Sequence, residues 1–293
     1  MARPPSVCVG VCQMSMSASA PANLAKAEAL VRRAAAQGAG VVLLPELFET
    51  RYFPKSQASE NLMMAKEVQD SPVLERFQRL SEELGIVLPV SFYEKAGQAR
   101  FNSLAVYEKG RLLGVYRKSH IPDGPGYSEK FHFAPGNTGA MVFATCFGNL
   151  GCGICWDQWF PEHARVLALS GADFIVYPTA IGTEPPPAPP VDSRAHWRIV
   201  MQGHAGANLV PVFAANRVGV EPLPDGGSMT FYGSSFAAGV DGQVLASLDH
   251  EEEGVFVCAL DLPSHDLQRA SWGVFRDRRP DLYASLLTLD GKR

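Results

Sequence analysis

Three apolar runs of the chain each end in a side chain that can do chemistry. "VVLLPE" ends in Glu46, "GVYRK" in Lys118 and "GCGIC" in Cys155. A thiol attacks carbon as the thiolate, so a nearby base must take its proton or a nearby cation must lower its pKa. A carboxylate, an ammonium and a thiol are therefore the parts of a nucleophilic acyl-transfer centre, provided one pocket collects them. In open α/β structures such pockets form beyond the carboxyl ends of strands. Singly, each residue has a plainer use. A Glu after a strand caps a helix or faces solvent, a Lys is solvated, and a buried Cys is a small hydrophobe. The plain use does not account for the neighbours of Cys155: "GICWDQWFPE" (153–162) sets Trp156, Asp157 and Trp159 directly behind the sulfur. Glu162 in the same stretch suits the first turn of the helix that follows.

"CGIC" is also a C-x-x-C. In redox proteins both sulfurs sit at a helix N-terminus, whereas here both fall in a strand-like run, where positions three apart face opposite sides. That parity disfavours a Cys152–Cys155 disulfide. Metal binding would need two further ligands, for which His163 is one candidate, and no second C-x-x-C exists. A redox or metal-binding thiol protein stands as the non-enzymatic alternative. The acyl-transfer reading needs no metal and no organic cofactor.

The elements that would position these residues can be read from periodicity. "VCVGVCQM" (7–14) is a strand buried on both faces. "PANLAKAEALVRRAAAQG" (21–38) is a helix with Leu24, Ala27, Val31 and Ala34 or Ala35 on one stripe and Gly38 at its end. "GVVLLPE" (40–46) returns as a strand that stops at Pro45, which completes a βαβ unit. A helix runs from the Ser-Pro cap at 71 to Gly85, "IVLPVSFYE" (86–94) is a strand, and 101–118 is a hairpin about Glu108-Lys109-Gly110. After 151–155, helix continues through Ala168. "DFIVYPTAIG" (173–182) passes from strand to loop, 193–209 is helical, and "VPVFAAN" (210–216) is a strand. A hairpin about Asp241-Gly242 and the strand "GVFVCALDL" (254–262) follow. The proline run "EPPPAPPV" (184–191) reads as a stiff active-site loop. Nothing marks an interdomain linker, so one domain spanning 1–293 is expected, with 262–293 as a C-terminal extension. The fold class is α/β, a mixed sheet or pair of sheets covered by helices.

Composition narrows the partners. The chain has 293 residues, 46% hydrophobic and 19% charged, with a formal net charge of -4. That balance lacks the basic footprint of a nucleic-acid binder. No apolar run approaches the roughly 18 residues of a membrane span, and "MARPPSVCVGVCQM" lacks the apolar region and cleavage site of a signal peptide. Six cysteines in so long a chain fit reduced thiols and a cytoplasmic location better than a disulfide scaffold. "WGVFRDRRPDLY" (272–283) is aromatic and Arg-rich, a composition favoured at interfaces, and predicts a homo-oligomer, dimer or higher.

"LLPELFE", "YRKSHIPDGPGYSEKFHFAPG" and "GICWDQWFPE" together resemble the three motifs of the nitrilase superfamily of carbon-nitrogen hydrolases. "DSRAHWRIVMQGHAGANLVPVFAANR", "FYGSSF" and "RASWGVFRDRRPDLY" look like the branch that removes the carbamoyl group of N-carbamoylputrescine, so the likeness covers essentially the whole chain. It implies a four-layer αββα sandwich that associates through its helices. It carries a Glu-Lys-Cys triad onto Glu46, Lys118 and Cys155, and a second acid onto Glu129. The backbone N–H of Trp156 would help hold the oxyanion, and Tyr52, His132, Trp156 and Asp157 would bind substrate. The sequence departs from the pattern at Arg51, His132, Ala134 and Asn137, around Glu129 and the pocket mouth.

A carbamoylated diamine has a cationic tail. Glu184, on the loop after "YPTAIG", is the expected partner of its amine. N-carbamoyl amino acids (β-ureidopropionase-like chemistry) or ω-amides are the alternative substrates. Their anionic tails would want Arg51, Arg194 or Arg217.

Overall fold

The computed structural model describes residues 4–185, 192–224 and 226–292. The chain runs β1 (Ser6–Gln13), α1 (Ala20–Ala36), β2 (Val41–Leu43), α2 (Pro72–Leu84), β3 (Val87–Ala96), β4 (Ala99–Glu108) and β5 (Arg111–Arg117). A single turn, α3 (Glu129–His132), precedes β6 (Met141–Thr145), β7 (Gly148–Cys152), α4 (Pro161–Leu169), β8 (Phe174–Pro178) and β9 (Gly182–Thr183). Then come α5 (Arg194–Asn208), β10 (Val212–Ala215), β11 (Val218–Pro222), β12 (Ser228–Tyr232), β13 (Phe236–Ala238), β14 (Val244–Ser247), β15 (Gly254–Asp261) and α6 (Leu262–Trp272).

The strands form two six-stranded sheets, ordered β15-β1-β2-β3-β4-β5 and β14-β13-β10-β8-β7-β6, and a small sheet β11-β12-β9. Alternation along the strands sorts the core into layers. On β1, Val7, Val9 and Val11 meet Leu150, Phe174, Val176 and Phe213 of the other sheet. On the opposite face Cys12 packs with Ala27, Val31, Leu74 and Phe77 of α1 and α2. On β8 and β10, Ile175, Tyr177, Val212 and Ala214 turn outward to Ala164, Leu167, Trp197 and Met201 of α4 and α5. Helices thus cover both outer faces of a sheet pair, the expected four-layer α/β sandwich.

The helix ends follow local chemistry. Ser19 and Ser71 accept from Ala22 N–H and Leu74 N–H, each followed by a proline in the first turn, and α2 stops at Gly85 with φ 66°. The β4–β5 turn holds Lys109 at φ 49° and Gly110 at φ 82°, the primed geometry that suits a tight hairpin.

Two elements depart from the periodicity reading. The strand expected at 151–155 ends at Cys152, and Cys155 opens a 3-10 turn, Cys155–Trp159. The chain also forms the hairpins β6–β7 and β11–β12, whose short mixed sequences carry no strong alternation. Of the proline run at 184–191, Glu184 and Pro185 are described; 186–191 lie outside the described residues.

Candidate active site

Sheet direction brings the expected residues together. β2 and β3 are parallel, while β4 is antiparallel to both β3 and β5, so β2 and β5 leave the sheet at the same end. Pro45, which lacks an N–H, follows β2 and releases the chain before Glu46. Lys118 comes one residue after β5, its N–H donating to the Asn102 carbonyl at 2.9 Å. From the facing sheet, β7 delivers Gly153, Ile154 and Cys155. A Cβ on Gly153 would lie 2.3 Å from the Tyr177 ring, so this approach requires glycine. Cys155 itself adopts φ 41°, a left-handed backbone unusual outside glycine, which turns its side chain off the strand direction.

The turn is held from behind by Asp157. Its carboxylate accepts from Ile154 N–H at 2.9 Å, Tyr116 hydroxyl at 2.6 Å, and His120 N–H and Nδ1 at 2.9 and 2.7 Å. Burial alone would raise the pKa of this fully buried acid. The hydrogen bonds of His120, Tyr116 and Ile154, with the charge of His163, outweigh that and hold it below the usual range. Asp157 was expected at the substrate. Its oxygens are instead committed to protein donors, and it ties the turn of Cys155 to the loop of Lys118.

Glu46, Lys118 and Glu129 form a buried row. Lys118 Nζ donates to Glu46 Oε1 at 2.9 Å and to Glu129 Oε2 at 2.6 Å, and all three are 0–1% exposed. An ammonium has three donors, so one N–H remains for another acceptor. Asn102 Nδ2 also donates to Glu46 Oε1, at 2.6 Å, while Glu46 Oε2 is buried without a partner. That open oxygen is where a proton can be received. Burial would lower the Lys118 pKa, but Glu129 and Glu46 raise it above the ordinary value, so the lysine is an ammonium. Burial pushes Glu129 up to about 7 despite Lys118. Burial, then the charge of Glu46, pushes the Cys155 thiol well above its usual value, so the resting site keeps the proton on sulfur.

A cavity of about 400 Å³ opens onto Cys155, with the buried row of Glu46, Lys118 and Glu129 outside its lining. Cys155, Trp156, Trp159, Tyr127, Asp123, Glu184, Ser193 and His196 line it, with Pro122, Ala180 and Ile181. The Cys155 thiol is 3.9 Å from the Ala180 carbonyl. Glu184 and Trp156 therefore share the cavity with the sulfur. Tyr52 and His132 do not line it. Tyr52 is fully buried and donates its hydroxyl to Glu129 Oε1 at 2.5 Å. His132 packs on Phe53, and its Nε2 donates to the Ser56 carbonyl at 2.8 Å.

The arginines considered for an anionic tail are also elsewhere. Arg217 is fully buried under Glu46, and Arg194 pairs with Asp192 at 2.6 Å. Arg51 lies on a different surface groove, beside Lys55 and Pro222. Cys152 sits in the apolar layer between the sheets with Leu150, Val176 and Phe213. The strand-parity account of the C-x-x-C does not hold, since Cys155 is past the strand end. All six cysteines are free thiols.

Asn102, His120, Asp123, Ser193 and His196 were not singled out from the sequence. Asn102 occupies an ordinary strand position, and loop residues such as Asp123 carry no periodic signal. The pairing of His120 with Asp157 joins positions 37 apart.

Comparison with known proteins gives a consistent picture. The carbon-nitrogen hydrolase family model matches residues 8–270. An N-carbamoylputrescine amidase of Arabidopsis thaliana is 52% identical over 289 residues, covering 97% of this chain and 96% of that protein. A citrullinase of Francisella tularensis is 46% identical over 280 residues, covering 95% and 97%. The crystal structure of a carbon-nitrogen hydrolase from Helicobacter pylori superposes with a TM-score of 0.90 at 36% identity, over 97% of this chain and 99% of that one.

Proposed function

The chain belongs to the carbon-nitrogen hydrolase family of the nitrilase superfamily, and from that premise we propose that it hydrolyses N-carbamoylputrescine to putrescine, carbon dioxide and ammonia, with Cys155 as nucleophile. Glu46, through its open Oε2, takes the thiol proton as the sulfur attacks the carbamoyl carbon. The free N–H of Lys118 and the backbone N–H of Trp156 stabilise the oxyanion, a donor of this kind being worth about 3 kcal/mol. The tetrahedral adduct collapses, the C–N bond to the diamine breaks, and Glu46 returns its proton to the leaving amine. The carbamoyl group is now a thioester on Cys155. Water attacks it while Glu46 accepts one water proton. The C–S bond breaks, the proton returns to sulfur, and the carbamic acid released decomposes to carbon dioxide and ammonia. Glu129, bridged to Lys118 and Tyr52, keeps the ammonium in place through both halves.

One observation carries the choice of substrate. Among the described residues lining the cavity there are two carboxylates, Asp123 and Glu184, and no Lys or Arg. A cationic tail is matched there, while the carboxylate of a carbamoyl amino acid is not. Glu184 is half-buried and reaches the same cavity as the nucleophile. A charge-assisted hydrogen bond contributes roughly 1.5–3 kcal/mol, so Glu184→Gln should lower kcat/KM for N-carbamoylputrescine by about 10- to 150-fold. The loss should fall mostly on KM, because the tail is held alike in ground and transition states. Ammonia release from N-carbamoylputrescine, N-carbamoyl-β-alanine and citrulline, by wild type and Glu184→Gln, measures this. Preference of the wild type for either amino acid would overturn the amine-tail reading. An unchanged kcat/KM in Glu184→Gln would move the contact to Asp123.

Among the described residues no helix is long and apolar enough to cross a membrane. Self-association belongs to the same reading. Trp272, Leu286 and Leu287, at the C-terminal end, are 71%, 63% and 87% exposed, an apolar surface that a second copy would cover.

A further inference from the structure

We infer that Arg217 is a positioning residue for the catalytic base, an inference that rests on Glu46 being that base. Arg217 follows β10, and its whole side chain is buried. A guanidinium removed from water must have its donors met. Here one carboxylate and a set of backbone carbonyls meet them. Nε and Nη2 donate to the Glu46 carbonyl at 3.2 and 3.1 Å. Nη2 also donates to the carbonyls of Leu47 at 2.5 Å and Thr50 at 3.1 Å, and Nη1 to Glu221 Oε1 at 2.9 Å. The rings of Tyr52 and Phe231 each stand 5.5 Å from the guanidinium carbon.

The carbonyls involved belong to the loop that presents the base. Leu47, the residue after Glu46, is held at φ 48°, a backbone that a leucine does not choose unaided. Three carbonyls of this loop turn inward toward one point; that of Leu47 also accepts from Thr50 N–H at 3.4 Å, while those of Glu46 and Thr50 are met by the cation. Glu221 extends the clamp along the same loop, its Oε2 accepting from Tyr52 N–H and Lys55 Nζ, both at 2.8 Å. Residues 46 to 55 are thereby fixed from behind, while Lys118 and Asn102 fix Glu46 Oε1 from the front. Two fixed ends leave Glu46 Oε2 a single direction.

Arg217→Lys and Glu221→Gln test this, each in the wild-type and the Glu46→Gln background. Turnover is measured by ammonia release. Base function is read separately from the rate at which iodoacetamide alkylates Cys155, followed by peptide mass. Displacement of a reacting group by about 1 Å costs on the order of 100-fold, so Arg217→Lys should lower kcat by about 10- to 100-fold with KM within about twofold. Alkylation should slow by a similar factor in the wild-type background and not further once Glu46 is Gln. Glu221→Gln should give the same pattern with a smaller loss, and serves if Arg217→Lys does not fold. Equal slowing of alkylation in both backgrounds would mean that Arg217 acts on the fold and not through the base. A folded Arg217→Lys enzyme with wild-type kcat would also overturn the inference. Wild-type turnover by Glu46→Gln alone would instead remove Glu46 as base, whatever Arg217 does.

Discussion

Cys155→Ser should abolish turnover, with kcat falling by a factor on the order of 10⁴ or more, while the thermal unfolding midpoint should stay near that of wild type. Serine fits the 3-10 turn without added volume, and the turn is held by Asp157, Gly153 and the left-handed backbone rather than by the sulfur. Chemistry is what changes. A hydroxyl is far harder to deprotonate than a thiol, and the acceptor is a single carboxylate oxygen, Glu46 Oε2. Cys152→Ser should give the opposite pattern. Its hydroxyl enters the dry layer between the sheets, where the Cys152 thiol is already pushed far above its ordinary value by burial. An unsatisfied buried hydroxyl costs about 1–3 kcal/mol, so stability falls and kcat of the folded enzyme does not. Ammonia release and thermal melts on both variants separate the two. Equal loss of turnover in the two folded variants would sink Cys155 as sole nucleophile and revive the C-x-x-C reading.

What the sequence disclosed follows from which signals are local. Buried strands, helix caps and the hairpin turn at Lys109-Gly110 are written within ten residues, and their positions agree with the structure. The grouping of Glu46, Lys118 and Cys155 was legible because each residue closes an apolar run and sheet direction does the rest. Asp157 was placed at the substrate because its partners are distant in sequence: Tyr116 reaches it from β5 of the facing sheet and His120 from the loop that follows. Nothing in "CWDQW" says whether that carboxylate faces the cavity or the loop behind it. Arg217, a candidate only for the anionic tail of the alternative substrates, is placed by equally distant contacts. An arginine after a strand invites a substrate contact, while full burial under the carbonyls of residues 46, 47 and 50 depends on a loop about 170 positions away. The end of the strand at Cys152 was hidden because "GIC" continues the apolar run, and only the close approach of Gly153 to Tyr177 shows why the chain turns there.

Lys118→Met and Glu46→Gln should each lower kcat by at least about 100-fold, and they should differ in how stability depends on pH. Lys118→Met removes an oxyanion donor and also the cation between two buried carboxylates. Two such groups in a dry site cannot both stay ionised, so one holds a proton. In the wild type, burial already raises Glu129 from 4.5 to about 7. A carboxyl that binds its proton more tightly when folded supports the fold fully below its unfolded pKa. That support is lost as pH rises through the folded value, here between 4.5 and about 7. Without Lys118 the folded value rises further, so the window widens upward and the unfolding midpoint should fall more steeply toward pH 8 than in the wild type. Glu46→Gln works in the other direction. The amide oxygen still accepts from Asn102 and Lys118, and Glu129 loses the neighbouring charge that helps to raise it. Its stability should therefore vary less with pH, although its NH₂ at the Oε2 position cannot accept the thiol proton. Thermal melts from pH 5 to 8 alongside ammonia release check both variants. A folded variant within about tenfold of the wild-type rate would remove that residue from the mechanism, since loss of either a proton acceptor or an oxyanion donor costs more than that.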